Sequence, residues 1–137
     1  MSEKINDQSL AAVARKIGGR SVTGGSILMH PFEKSDHWTF GSEGSIYRIA
    51  FSSWEPHKHL EQREMLFNWL RDSGLLFTLE SFGDASSPRY EFDIYRSFNP
   101  AKEGERVTFQ SIGHGDHRDR SLAVLLAFID MIEREGG

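Results

Sequence analysis

One stretch limits what this chain can become: from Trp54 to Phe82 a helical repeat runs into a stop signal and then into a strand repeat. Leu60, Leu66, Phe67 and Leu70 fall on one side of a 3.6-residue wheel and predict a buried stripe. Ser53 is placed to cap that helix, with Glu55 and Pro56 in the first turn, where a negative charge and a missing N–H are both tolerated. Gly74 stands where a left-handed C-terminal residue is expected, after Arg71 at the negative end of the helix dipole. Beyond it Leu75, Phe77 and Leu79 alternate with Leu76, Thr78 and Glu80, which is strand period. A chain with this unit at its centre buries a helix against a sheet.

The flanking segments repeat the theme. Asn6 or Asp7 can cap a first helix that shows Leu10, Val13, Ala14 and Ile17 on one side and ends at Gly18-Gly19. Short extended pieces follow: Arg20 to Thr23 and Ser26 to His30 around Gly24-Gly25, then His37 to Phe40 and Ser45 to Ser52 around a turn at residues 41–44. After the central unit come a turn at Gly83 to Pro88, a strand marked by Tyr90, Phe92, Ile94 and Phe98, and a strand from Arg106 to Ile112. A Gly/His/Asp loop is predicted from Gly113 to Asp119, then a last helix from Asp119 or Arg120 to Glu135. The later strands have one apolar and one polar face, as in an antiparallel sheet covered on one side. The pattern predicts a single α+β domain over residues 1–137: a two-layer sandwich of mostly antiparallel sheet packed by three helices, in the order α-β(2-4)-α-β3-α.

Bulk chemistry removes several function classes. At 38% hydrophobic and 26% charged, the 137 residues suit a folded globular domain rather than a disordered one. A net charge of −4 gives no general electrostatic pull on a polyphosphate, so nucleic acid is not the expected partner. The absence of cysteine excludes disulfides, thiol nucleophiles and thiolate metal sites. Polar residues after Met1, and a longest apolar run of only Leu122 to Ile129, predict a soluble cytoplasmic protein with no membrane segment.

Few residues advertise chemistry. His57 and His59 lie two apart, which on a helix sends them to different sides. His114, Asp116 and His117 carry ligand atoms suited to zinc or a similar ion, and are the metal candidates of a small metal-dependent hydrolase or nucleotide-binding enzyme. In the simpler reading Asp116 or Asp119 caps the last helix, and Gly113-His114-Gly115 is a turn before it. No H-E-x-x-H, P-loop, dinucleotide fingerprint or G-x-S-x-G elbow is present, so no cofactor is expected. Glu91 and Asp93 share a strand face and could do acid–base work, or could simply be its solvated side. Arg15, Lys16 and Arg20 gather at a helix end, and Arg89 and Arg96 lie along a strand, diluted by neighbouring acids.

Two features leave apolar surface to account for. The last helix, Leu122 to Ile132, is apolar nearly all round, so it is central or covered by a second copy in a homodimer. Met65 and Trp69 fall opposite the stripe of the central helix. With Glu61, Glu64 and Asp72 as an acidic rim they form a candidate protein-binding patch, unless the first or last helix covers them.

The order of parts from Trp54 to Ile132 resembles the small ABA-sandwich domains of bacteriophage proteins. The resemblance is carried by the helix ending Trp69-Leu70-Arg71-Asp72-Ser73-Gly74, the strand from Leu75 to Phe82, two further extended segments, and the helix Ser121-Leu122-Ala123-Val124-Leu125-Leu126-Ala127. Leu10 to Gly18 is similar to that family's opening helix. The one-faced alternation of the later strands fits two layers rather than the family's three. The resemblance implies a phage-type accessory protein that works by binding host machinery, such as a defence complex in the manner of an anti-CRISPR, and it implies no catalytic residue.

Overall fold

A computed structural model of the chain describes residues 5–23, 36–41, 47–98 and 108–136. Helix α1 (Asp7–Lys16) starts in a capping box, with Asn6 accepting from the Ser9 N–H and the Ser9 hydroxyl answering the Asn6 N–H. It stops at Gly18, whose φ of +96° lets the Gly19 N–H reach back to the Ala14 carbonyl. Strands β1 (Arg20–Val22), β2 (His37–Phe40) and β3 (Tyr47–Ala50) pair antiparallel in that order. The predicted His37–Phe40 strand and its Tyr47 partner are therefore found. The Gly24-Gly25 hairpin, most of the turn at residues 41–44, and Arg106 and Val107 of the later strand lie outside the described residues.

The segment from Trp54 to His59 is not helical, contrary to its sequence pattern. Ser53 does not cap the helix; it ends a 3₁₀ turn (Phe51–Ser53). Trp54 is instead driven into the core, 5.2 Å from the Phe40 ring, with its indole N–H donating to the Leu10 carbonyl at 2.8 Å. Burying a large aromatic that also finds a hydrogen-bond acceptor outweighs one turn of helix. The buried Gln62 side chain then ties the lead-in down, donating to the Ser53 carbonyl and accepting from the Glu55 N–H, each at 2.7 Å. Helix α2 (Leu60–Asp72) begins after this knot. Leu60 is consequently 62% exposed at the helix start rather than part of the stripe, which is formed by Leu66 and Leu70 with Phe67 beside them. Gly74 closes α2 at φ +73°, and the Leu75 N–H bonds the Leu70 carbonyl as the stop signal predicts.

Strands β4 (Leu76–Asp84), β5 (Ser87–Phe98) and β6 (Thr108–His117) form a second three-stranded antiparallel sheet, with β5 central. Among the described residues the protein is thus an α+β fold with two three-stranded antiparallel sheets and three helices in α-β-α-β-α order, as the pattern predicts. Phe67 of α2 packs on Phe77 and Phe92 of the second sheet, with ring centroids 5.3 and 5.9 Å apart. Helix α3 (Arg120–Gly136) is capped by Asp119, which accepts from the Ser121 N–H at 2.8 Å, and lies along β5 and β6. Its Ala123, Leu125, Ala127, Phe128 and Met131 are fully buried within the chain, and Leu122, Leu126 and Ile132 are half-buried. Among the described residues no helix is long and apolar enough to cross a membrane.

The contact between α3 and β6 corrects the largest misreading. Residues 113–117 are strand, not loop, paired with Tyr90 to Ile94 of β5. A Cβ at Gly115 would collide with the Ala123 carbonyl and lie 2.6 Å from the Ala127 nitrogen; one at Gly113 would lie 2.6 Å from the Ala127 oxygen. The glycines are there so that helix backbone can press on strand backbone. Two α3 side chains then cover the edge of β6: Asp130 accepts the His114 N–H at 2.9 Å, and Arg134, paired with Asp130, donates to the Ser111 carbonyl at 3.1 Å.

Candidate metal centre

Alternation along β5 and β6 sorts their residues onto two faces. Phe92 and Ile94 of β5, with Gly113 and Gly115 of β6, turn toward the helices. Glu91, Asp93, His114 and Asp116 turn the other way. The register sets Asp93 opposite His114 and Glu91 opposite Asp116. Two carboxylates directly opposite one another across a ladder repel, and the Arg89 guanidinium beside Asp116 offsets part of that repulsion.

The geometry around His114 is that of an oriented ligand. Asp93 Oδ1 lies 2.7 Å from His114 Nδ1, and because a carboxylate only accepts, Nδ1 is the donor. In the neutral ring this leaves the Nε2 lone pair free. Nε2 lies 3.7 Å from Glu91 Oε1, too far for a hydrogen bond. It is close to the roughly 3.4 Å that separates two ligands held about 2.1 Å from one tetrahedral ion. Ligand atoms of Glu91, His114 and Asp116 all fall within 4.8 Å of one another.

Asp116 is held from outside this group. Its Oδ2 accepts from Arg89 Nη2 at 2.9 Å. Arg89 Nε lies 2.8 Å from Oδ1 without hydrogen-bond alignment, so among the described residues this buried oxygen accepts no hydrogen bond. The side chains of Glu91, His114 and Asp116 are each about a third exposed, although Asp116 Oδ1 is itself buried.

Of the predicted metal candidates, His114 and Asp116 come together and His117 does not. His117 belongs to the glycine side of the alternation, and its Nδ1 accepts the Asp119 N–H at 2.8 Å. The third member of the cluster is Glu91, legible in sequence only as half of a carboxylate pair. His57 and His59 stay apart from the cluster. Burial holds the His57 imidazole below its ordinary pKa, opposed by the charge of Glu55, and its buried Nδ1 has no hydrogen-bond partner among the described residues.

The surface proposed around α2 takes a different form from the wheel. Met65 and Trp69 are half-buried against the core; the Trp69 ring lies 6.0 Å from Phe128 of α3 and beneath the Lys16 ammonium of α1. Trp69 thus lies against both the first and the last helix. Glu61, Glu64 and Asp72 are exposed. No family model, curated protein or solved structure matches the chain.

Proposed function

We propose that the chain binds a divalent transition-metal ion through Glu91, His114 and Asp116, as the centre of a small metal-dependent hydrolytic site. The observation that carries this reading is the 2.7 Å bond from His114 Nδ1 to Asp93, which leaves Nε2 3.7 Å from Glu91, in a group whose third ligand-type side chain is Asp116. A carboxylate behind a ligating histidine fixes its tautomer and raises its basicity, and such partners matter nearly as much as the ligands. One nitrogen and two carboxylate oxygens suit zinc or manganese, and three protein ligands leave a coordination position for water. An ion there would supply a water acidified toward neutral pH. Binding of host machinery, implied by the phage resemblance, draws no support from Met65 and Trp69, which pack against the core.

The test is calorimetric titration of Zn²⁺ and Mn²⁺ into untagged, chelator-stripped protein. One ion per chain is expected, with binding lost in His114→Ala and in Glu91→Gln. Asp93→Asn should weaken it about 10- to 100-fold while leaving all three ligands in place. Unchanged binding in His114→Ala, or no uptake by the parent protein, sinks the proposal.

A further inference from the structure

We infer that Arg89 is the anion-recognition residue of this site, and that the ligand it takes is the phosphoryl group of a phosphate ester held jointly by the guanidinium and the metal ion. The inference rests on the metal reading above. A guanidinium carries five N–H donors in a fixed fork, and Arg89 has one hydrogen bond to Asp116 Oδ2 while its side chain is 60% exposed. With Nη2 bonded to Asp116 Oδ2 and Nε 2.8 Å from its Oδ1, Nη1 is the end of the exposed guanidinium not committed to Asp116. The same bond keeps Asp116 oriented, so Arg89 need not leave its partner to receive an anion.

Charge decides when that anion can bind. Glu91, Asp93 and Asp116 against Arg89 leave the bare cluster with a formal charge of −2, and a divalent ion brings it to zero. Glu80, exposed and opposite Glu91, adds to the repulsion of the bare face. Without the ion an oxyanion is turned away. With it, an ion held by Glu91, His114 and Asp116 would supply positive charge near the Arg89 guanidinium, and the two could share one phosphoryl group. Phe82, opposite Arg89 in register and 44% exposed, provides an apolar wall at that end for the organic part of an ester.

Metal and phosphate binding must then be reciprocally coupled. The experiment is Mn²⁺ titration with and without inorganic phosphate, ionic strength being matched with chloride. In the parent protein phosphate should tighten Mn²⁺ binding about tenfold. In Arg89→Gln the tightening, measured against that variant's own phosphate-free affinity, should vanish; in Arg89→Lys, which keeps the charge but not the fork, it should survive in part. A ratio is unaffected by any change in intrinsic metal affinity. Equal tightening in the parent and Arg89→Gln overturns the role of Arg89. Mn²⁺ binding that ignores phosphate in the parent overturns the ligand class while leaving the metal site standing. No Mn²⁺ uptake at all removes both.

Discussion

The two faces of the β5–β6 ladder are made by alternate residues of the same strands, yet they obey different rules. The helix side is fixed by shape: Phe92 and Ile94 are fully buried, and Gly113 and Gly115 leave no room for a methyl group between strand and helix. The open side is fixed by charge: Arg89 pairs with Asp116, Asp93 bonds His114, and Glu91 lies beside them, all in contact with solvent. Each glycine on one face is what places a ligand-type side chain on the other. Rigidity on the packed side thus positions the chemistry on the wet side, without the ligands themselves having to be buried.

If that division holds, the largest stability effect on these strands should come from adding a single carbon. Gly115→Ala must push the Ala123 carbonyl and the Ala127 nitrogen aside, and both are helix backbone rather than the end of a flexible side chain. We expect a loss of about 3 kcal/mol in urea unfolding, at the upper end of ordinary overpacking. A variant within error of the parent would show that α3 stands off from β6, and the comparison would collapse.

The neighbouring residue should behave in the opposite way. Asp116→Asn gives up the ion pair with Arg89 but also the repulsion from Glu91, both at part-exposed side chains, so stability should stay within about 1 kcal/mol of the parent. Ion binding, in contrast, should be lost or strongly weakened. A large loss of stability here would mean that the open-face network holds the sheet together, and that its charges are structural before they are chemical.

The same contrast explains what the sequence disclosed. Signals completed within a few residues were readable: the Asn6 cap, the Gly18 and Gly74 stops, and the Asp119 cap are local hydrogen-bonding arrangements. Signals completed by distant partners were not. Gly113-His114-Gly115-Asp116-His117 has loop composition, and only contact with α3, from Ala123 onward, makes its glycines a packed strand face. Read for period two rather than for composition, the same five residues place His114 and Asp116 together and His117 apart. Trp54 to His59 failed for a similar reason, since its helix-start pattern is overridden by an indole bond to Leu10, 44 residues away. The grouping of strands into two sheets was also hidden, because alternation marks a strand without naming its neighbour.

The smallest expected effect concerns a titrating group outside the open face. His57 stands among Glu55, Lys58, His59 and Asp119, beside the turn where β6 gives way to α3, and burial holds its pKa below the ordinary 6.5. In the unfolded chain the imidazole takes up a proton as pH falls through 6.5, whereas the folded protein resists doing so until lower pH. Over that window the unfolded state binds more protons, so acidification favours unfolding; below the folded value the difference stops growing. The parent should therefore lose more Tm than His57→Gln between about pH 7.5 and about pH 5.5, the other histidines cancelling in the comparison. Parallel pH profiles would place His57 in water. A steeper profile for the variant would mean that the charged imidazole is stabilised by Glu55 and Asp119, and that this corner of the fold is held by charge, as the open face is, rather than by exclusion of water.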